Sequence, residues 1–190
     1  MGAILDVLGA MLIGSMLILM MITFQYRLHD TANQAMYLAS MVEHMERAST
    51  KLNSVIALAG IGYAPNQTVT TAGANSLTFQ SYWNYQLNQI TPVPVSIQIA
   101  LSGTETDVGK ALTIRQDGEL LADLGYILYV DYLAFRYYTK TDALTTVAAN
   151  VRSAEIWLTF KREAPNSSKP PLQTKLQIKC FFMNAYMRGA

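Results

Sequence analysis

Apolar residues run without a charged interruption from Val7 to Phe24 (VLGAMLIGSMLILMMITF), with Asp6 before the run and Arg27 after it. As a helix this stretch rises about 27 Å, close to the hydrocarbon thickness of a bilayer. It is apolar on every face, unlike the amphipathic helix of a soluble domain. A secretory signal peptide carries a basic n-region, a shorter apolar core and a small-residue cleavage site. Here the first cation is Arg27, and no Ala-x-Ala site follows the run. The pattern predicts a transmembrane helix, which either only anchors the chain or also packs against copies of itself.

The next stretch keeps the helical period. From Arg27 to Ala59 there is neither Gly nor Pro. Leu28, Ala32, Ala35, Leu38, Val42, Met45, Leu52 and Ile56 recur in steps of three and four, with one gap near Ser49. Arg27, Asp30, Gln34, His44, Arg47 and Lys51 fall mostly on the other side. The spacing predicts one helix of about 58 residues, about 85 Å long, that runs to Gly60-Ile61-Gly62 with Pro65 beyond. Its second half offers an apolar stripe to a globular partner. The alternative is a plain anchor followed by the first helix of an ordinary domain.

After Pro65 the pattern changes to short alternating runs rich in Thr, Val, Tyr, Phe and Ile. Strands are predicted at Ser76–Trp83, Val93–Ala100, Ala111–Arg115, Leu120–Leu124, Tyr126–Tyr138, Arg152–Arg162 and Lys175–Met183. Asp117-Gly118 between two of them is a hairpin signal. Pro92 and Pro94 confine the start of the Val93–Ala100 run to an edge or entry position. The polar segment Ala164–Pro171 reads as a loop. An antiparallel sheet results, and it is the available surface for the helix stripe. The expected organisation is α+β: residues 1–26 a transmembrane or filament-core helix, 27–62 its amphipathic continuation, and 63–190 a β-rich globular domain.

Composition narrows the chemistry. The 190 residues carry a net charge of +1 and no basic run, so no nucleic-acid partner is expected. Cys180 is the only cysteine, which excludes an intrachain disulfide and suits a small buried side chain. Both histidines, His29 and His44, lie on the helix, about 22 Å apart along it. The sheet domain therefore lacks the imidazole that Ser-His-Asp or Cys-His catalysis and His-rich zinc sites need. GTETDVGK (Gly103–Lys110) has five residues between its glycines and Ala111 after the lysine, which is not a phosphate-binding loop. No enzyme activity, metal or cofactor is expected. Two sequons, at Asn66 and Asn166, fall in loops and are possible glycosylation acceptors.

Three stretches point to a family. Ile56-Ala57-Leu58-Ala59-Gly60-Ile61-Gly62-Tyr63 resembles the Ala-Gly-aromatic helix end of the PilW-like minor pilins and J-type pseudopilins. Leu124 to Glu163, with DYLAFRYYTKTDALTT and VRSAEIWLTFKRE, resembles their late strand pair around a polar turn. Lys179 to Asn184 resembles their final strand. With the long helix and the sheet, the chain resembles the type IV pilin-like superfamily over most of its length. It departs from that pattern in two places. The only early acid is Asp6, one place off the family's early Glu in either register and Asp rather than Glu, and the apolar segment has no Pro. No basic leader precedes the helix, so either Met1 is the mature start or Met1-Gly2 is all that precedes cleavage.

The resemblance implies a structural subunit of an extracellular type IV pilus-like filament. The subunit would be held in the inner, cytoplasmic membrane and then polymerised through its N-terminal helix to the cell surface. Its partners would be copies of itself or related pilins, and the inner-membrane assembly machinery. A minor pilin or secretion-system pseudopilin priming a filament tip is one alternative; a monomeric membrane-anchored binding or accessory protein is another. Gly9, Ala10, Gly14 and Ser15 are small enough for close helix approach, and Ala10 and Gly14 have small-xxx-small spacing. The other reading is that lipid merely tolerates them. Asp6 either pairs with the positive N-terminus of a neighbouring helix, setting register, or is an interfacial acid near its own helix start.

Overall fold

The computed structural model describes residues 2–106, 109–121, 128–162 and 171–188. Asn166, Asp107, Leu124, Tyr126 and most of the Ala164–Pro171 loop lie outside the described residues. The architecture is α+β, as the pattern predicts: a long N-terminal helix and antiparallel sheets. Helix α1 spans Gly2–Ala57 as one element. The chain divides into two compact units, and the boundary falls at Ser40, inside this helix.

In the first unit, α1 exposes its apolar side chains. Met11 and Met20 are each 70% exposed, and the most apolar window has a mean hydropathy of 2.4 with no burial. This helix is long and apolar enough to cross a membrane.

In the second unit, α1 contributes Met41, Ala48, Leu52, Val55 and Ile56 to the core, with Met45 partly buried. The expected stripe holds at Met45, Leu52 and Ile56 but not upstream. Leu28, Ala32, Ala35, Leu38 and Val42 are exposed. Helical periodicity marks a face that can be buried, but it does not mark where the covering surface ends.

Helix α1 ends at Ala57, and Gly60 in the turn that follows takes φ +73°. A Cβ there would lie 2.6 Å from Thr68 Oγ1, so both backbone conformation and space require glycine. Beyond it, β1 (Val69–Ala72), β2 (Ser76–Asn84), β3 (Gln89–Thr106) and β4 (Gly109–Gln116) form an antiparallel array in sequence order. The outer edge of β4 is shared by β5 (Glu119–Leu120) and β6 (Leu128–Val130). The β4–β5 turn has Asp117 at φ 52° and Gly118 at φ 88°, the left-handed pair expected of a tight hairpin. Pro92 and Pro94 lie in the part of β3 that pairs with β2 alone, because pairing with β4 begins at Ile97.

One expected sheet is two. The second sheet is β7 (Tyr132–Tyr138), β8 (Ser153–Arg162) and β9 (Leu172–Phe181). The run read as a single strand, Tyr126–Tyr138, divides at Asp131, whose N–H donates to the Thr159 carbonyl at 2.8 Å. Val130 and Leu133 are buried while Asp131 and Tyr132 between them are exposed. Two successive outward residues break the period of two, and the chain changes sheets there. Helix α2 (Met183–Arg188) begins at the residue expected to end the last strand, and neither it nor β1 was anticipated. Leu77, Phe79, Ile97 and Ile99 from the first sheet and Leu133, Ile156 and Leu158 from the second join the α1 stripe in one apolar cluster.

Candidate functional site

The residues proposed for assembly all lie on α1, on its exposed surface or, for Gly14, partly exposed. Residues four apart on a helix are turned by about 40°, so Asp6, Ala10 and Gly14 share one face. Gly9 lies about 60° to the other side of Asp6, whereas Ser15 is turned about 100° from Gly14. The Ser15 hydroxyl donates to the Leu12 carbonyl at 2.8 Å, within its own helix. No atom lies within 4 Å of a Cβ built on Gly9 or Gly14, so both are open to a neighbour. No acid falls in the first turn of the helix, and Asp6 sits beyond it.

The other end of α1 is held by side chains from both sheets. A helix leaves its last carbonyls without intrahelical donors. Here the Tyr85 hydroxyl donates to the Val55 carbonyl, and the Ser81 hydroxyl to that of Leu58 at 2.7 Å. The Asn184 amide donates to the Ala59 carbonyl at 2.9 Å. Gly60 N–H donates to the Gln80 carbonyl at 2.9 Å, and Tyr82 N–H to that of Ile61 at 3.0 Å. The Cys180 thiol, buried as expected, donates to Asn53 Oδ1 at 2.9 Å, and burial pushes its pKa up to about 12. Such a thiol is protonated and inert at neutral pH. Sequence reasoning missed Tyr85, Ser81 and Asn184. None carries a local signal, because each partner is at least 23 residues away.

The remaining candidates are dispersed. Glu105 pairs with Lys110 at 3.7 Å across the β3–β4 hairpin, which suits a solvated turn. Among the described residues there is no group of three His, Cys, Asp or Glu side chains placed to hold a metal. Asn66 is exposed, but Thr68 of its sequon is fully buried against the helix end. Among the aromatic residues, Tyr85 is partly buried at the helix, and the Tyr82 ring lies tilted against that of Tyr63, centroids 5.2 Å apart. Trp157 instead stands on the outward side of β8, with the Arg136 guanidinium 5.3 Å from its ring centroid.

The chain matches no family model, no curated protein and no solved structure.

Proposed function

We propose that this chain is a structural subunit of a type IV pilus-like filament, held in the membrane by α1 and polymerised through it. The observation that supports the reading is the continuity of α1. One helix carries a bilayer-length apolar segment with every flank exposed, then supplies the core stripe of a β-rich unit. An anchor alone needs only the first property. In a bundle of such helices, apolar contacts replace lipid, and the face bearing Ala10 and Gly14 allows close approach. A carboxylate is costly among apolar helices unless paired, so Asp6 against a neighbour's positive helix end would set the register of assembly. The subunit would pass from the inner membrane to the cell surface with the help of an inner-membrane assembly apparatus.

The test is electron microscopy of material sheared from the cell surface, with mass spectrometry of the filaments. Filaments in which this chain dominates are expected. Trace amounts beside another pilin would instead assign it to a tip or priming role. Full recovery in membranes with none in filaments would overturn the filament reading in favour of an anchored accessory protein.

A further inference from the structure

The outward side of the second sheet is a regular grid. Cross-strand pairing aligns Arg136, Glu155 and Lys179 in one row and Ala134, Trp157 and Gln177 in the next. The following row adds Tyr132, 54% exposed, and Lys175, also exposed. Aromatic rings and cations interleave: Lys179 Nζ lies 5.0 Å from the Tyr138 ring and 5.6 Å from that of Phe181, as Arg136 does over Trp157. Arg136, Lys161, Lys175 and Lys179 share the face with the carboxylate of Glu155, and Lys179 also bonds Asp142 at 2.7 Å. These four cations outnumber the carboxylates of Glu155 and Asp142, so the face is net positive in a chain whose overall charge is +1.

At the centre, Glu155 accepts from the Tyr138 hydroxyl at 2.8 Å and from the Gln177 amide. A carboxylate offers about four acceptor positions, so about one remains for a donor from outside once the Trp157 indole N–H is counted with these two. Partial burial pushes the Glu155 carboxyl upward, but the interactions with Tyr138, Gln177 and the Trp157 indole N–H and the Arg136 charge outweigh it and hold it below the usual range. Beside Trp157, β7 contributes only the methyl of Ala134, and Trp157 itself is partly exposed.

We infer that this face binds an anionic polysaccharide, with sugar rings against Trp157 and Tyr132 and acid groups against Arg136 and Lys175. Aromatic faces accept the apolar faces of sugar rings, and guanidinium pairs with carboxylate in a fork geometry. Glu155 selects between polyanions. Sugar hydroxyls donate to it, whereas a deoxyribose-phosphate backbone would bring only acceptors and negative charge to the middle of the face. The surface belongs to the second unit, and the inference does not depend on the filament reading.

The test measures binding of the full chain, in detergent micelles, to immobilised polygalacturonate, dextran and oligo(dT). Retention on polygalacturonate that weakens with salt is expected, with dextran and oligo(dT) bound at least about tenfold more weakly. Lys175→Glu and Trp157→Ala should each lower affinity about tenfold, one removing a charge and the other a stacking face. Gln98→Glu, on the exposed side of the first sheet, should keep the original affinity, and thermal melts verify that each variant is folded. No retention at low salt, equal retention on dextran, tighter binding of oligo(dT), or unchanged binding by folded Lys175→Glu and Trp157→Ala would each overturn the inference.

Discussion

Asn184 donates its side-chain amide to the carbonyl of Ala59 at 2.9 Å, joining residues 125 positions apart. Ala59 is fully buried and belongs to the stretch where α1 ends. Through Asn184, the last described element of the chain satisfies one of the carbonyls that the first element leaves open. Ser81 does the same from β2, and Tyr85 from the turn that follows it. The end of α1 is thus fixed by hydrogen bonds from α2 and from the first sheet, and apolar contact is not its only constraint.

Asn184→Ala leaves that buried carbonyl without its donor, which costs about 1–3 kcal/mol. Urea unfolding of the full chain in micelles, followed by tryptophan fluorescence, should show a lower midpoint with an unchanged slope. An unchanged midpoint would mean that water replaces the amide and that the contact contributes nothing.

The buried part of the α1 stripe makes a sharper comparison. Leu52 is fully buried and Leu38 is 47% exposed, although both fit the same helical period. Leu52→Ala should destabilise the second unit by about 2–5 kcal/mol, a cavity effect. Leu38→Ala should stay within about 0.5 kcal/mol, as for other surface sites. Equal losses would show that the upstream stripe is covered as well.

Assembly should depend on the face that holds Asp6, Ala10 and Gly14. Asp6→Ala is expected to abolish or slow filament formation while the subunit still accumulates in membranes. Gly14→Leu should reduce filament yield by blocking close helix approach. Immunoblots of sheared and membrane fractions measure both, and normal filament yield from either variant would sink the role proposed for that residue.

Alkaline pH provides a test of the buried hydroxyl and thiol groups. Burial raises the pKa of Tyr85 and Tyr137 above the ordinary phenol value of 10.0, and that of Cys180 from 9.0 to about 12. Above pH 9 the unfolded chain loses these protons before the folded one does. The unfolded state then binds fewer protons, so stability falls as pH rises. Unfolding midpoints should be steady from pH 7 to about 9 and decline above it. Cys180→Ala should reduce the early part of the decline, and an unaltered profile in that variant would rule out the thiol's contribution.

Local patterns were legible wherever one short stretch decides the outcome. The charge-free run from Val7 to Phe24 is enough for a membrane-length helix, because hydration of apolar surface and backbone bonding are settled within it. Gly60 marks the stop because few other residues take its backbone angle, and Asp117-Gly118 marks the hairpin for the same reason. Alternation alone located β2 and β8 to within a residue or two. The features that failed are those set by distant partners. Tyr126–Tyr138 reads as one apolar run, yet Leu128–Val130 pairs with β4 and Tyr132–Tyr138 with β8, so it serves two sheets.

By itself, then, the sequence determined the elements: a continuous apolar-then-amphipathic helix, its glycine stop, and an alternating β-rich remainder without the histidines of common catalytic sites. Only the tertiary structure decided that the strands form two sheets and that burial of α1 begins at Met41. It alone assembled the donors of Tyr85, Ser81 and Asn184 around the helix end, and the Arg136, Trp157 and Glu155 grid. The reason is physical. Propensity and period act over a few residues, whereas strand pairing, carbonyl capping and cross-strand contact depend on which distant segments meet.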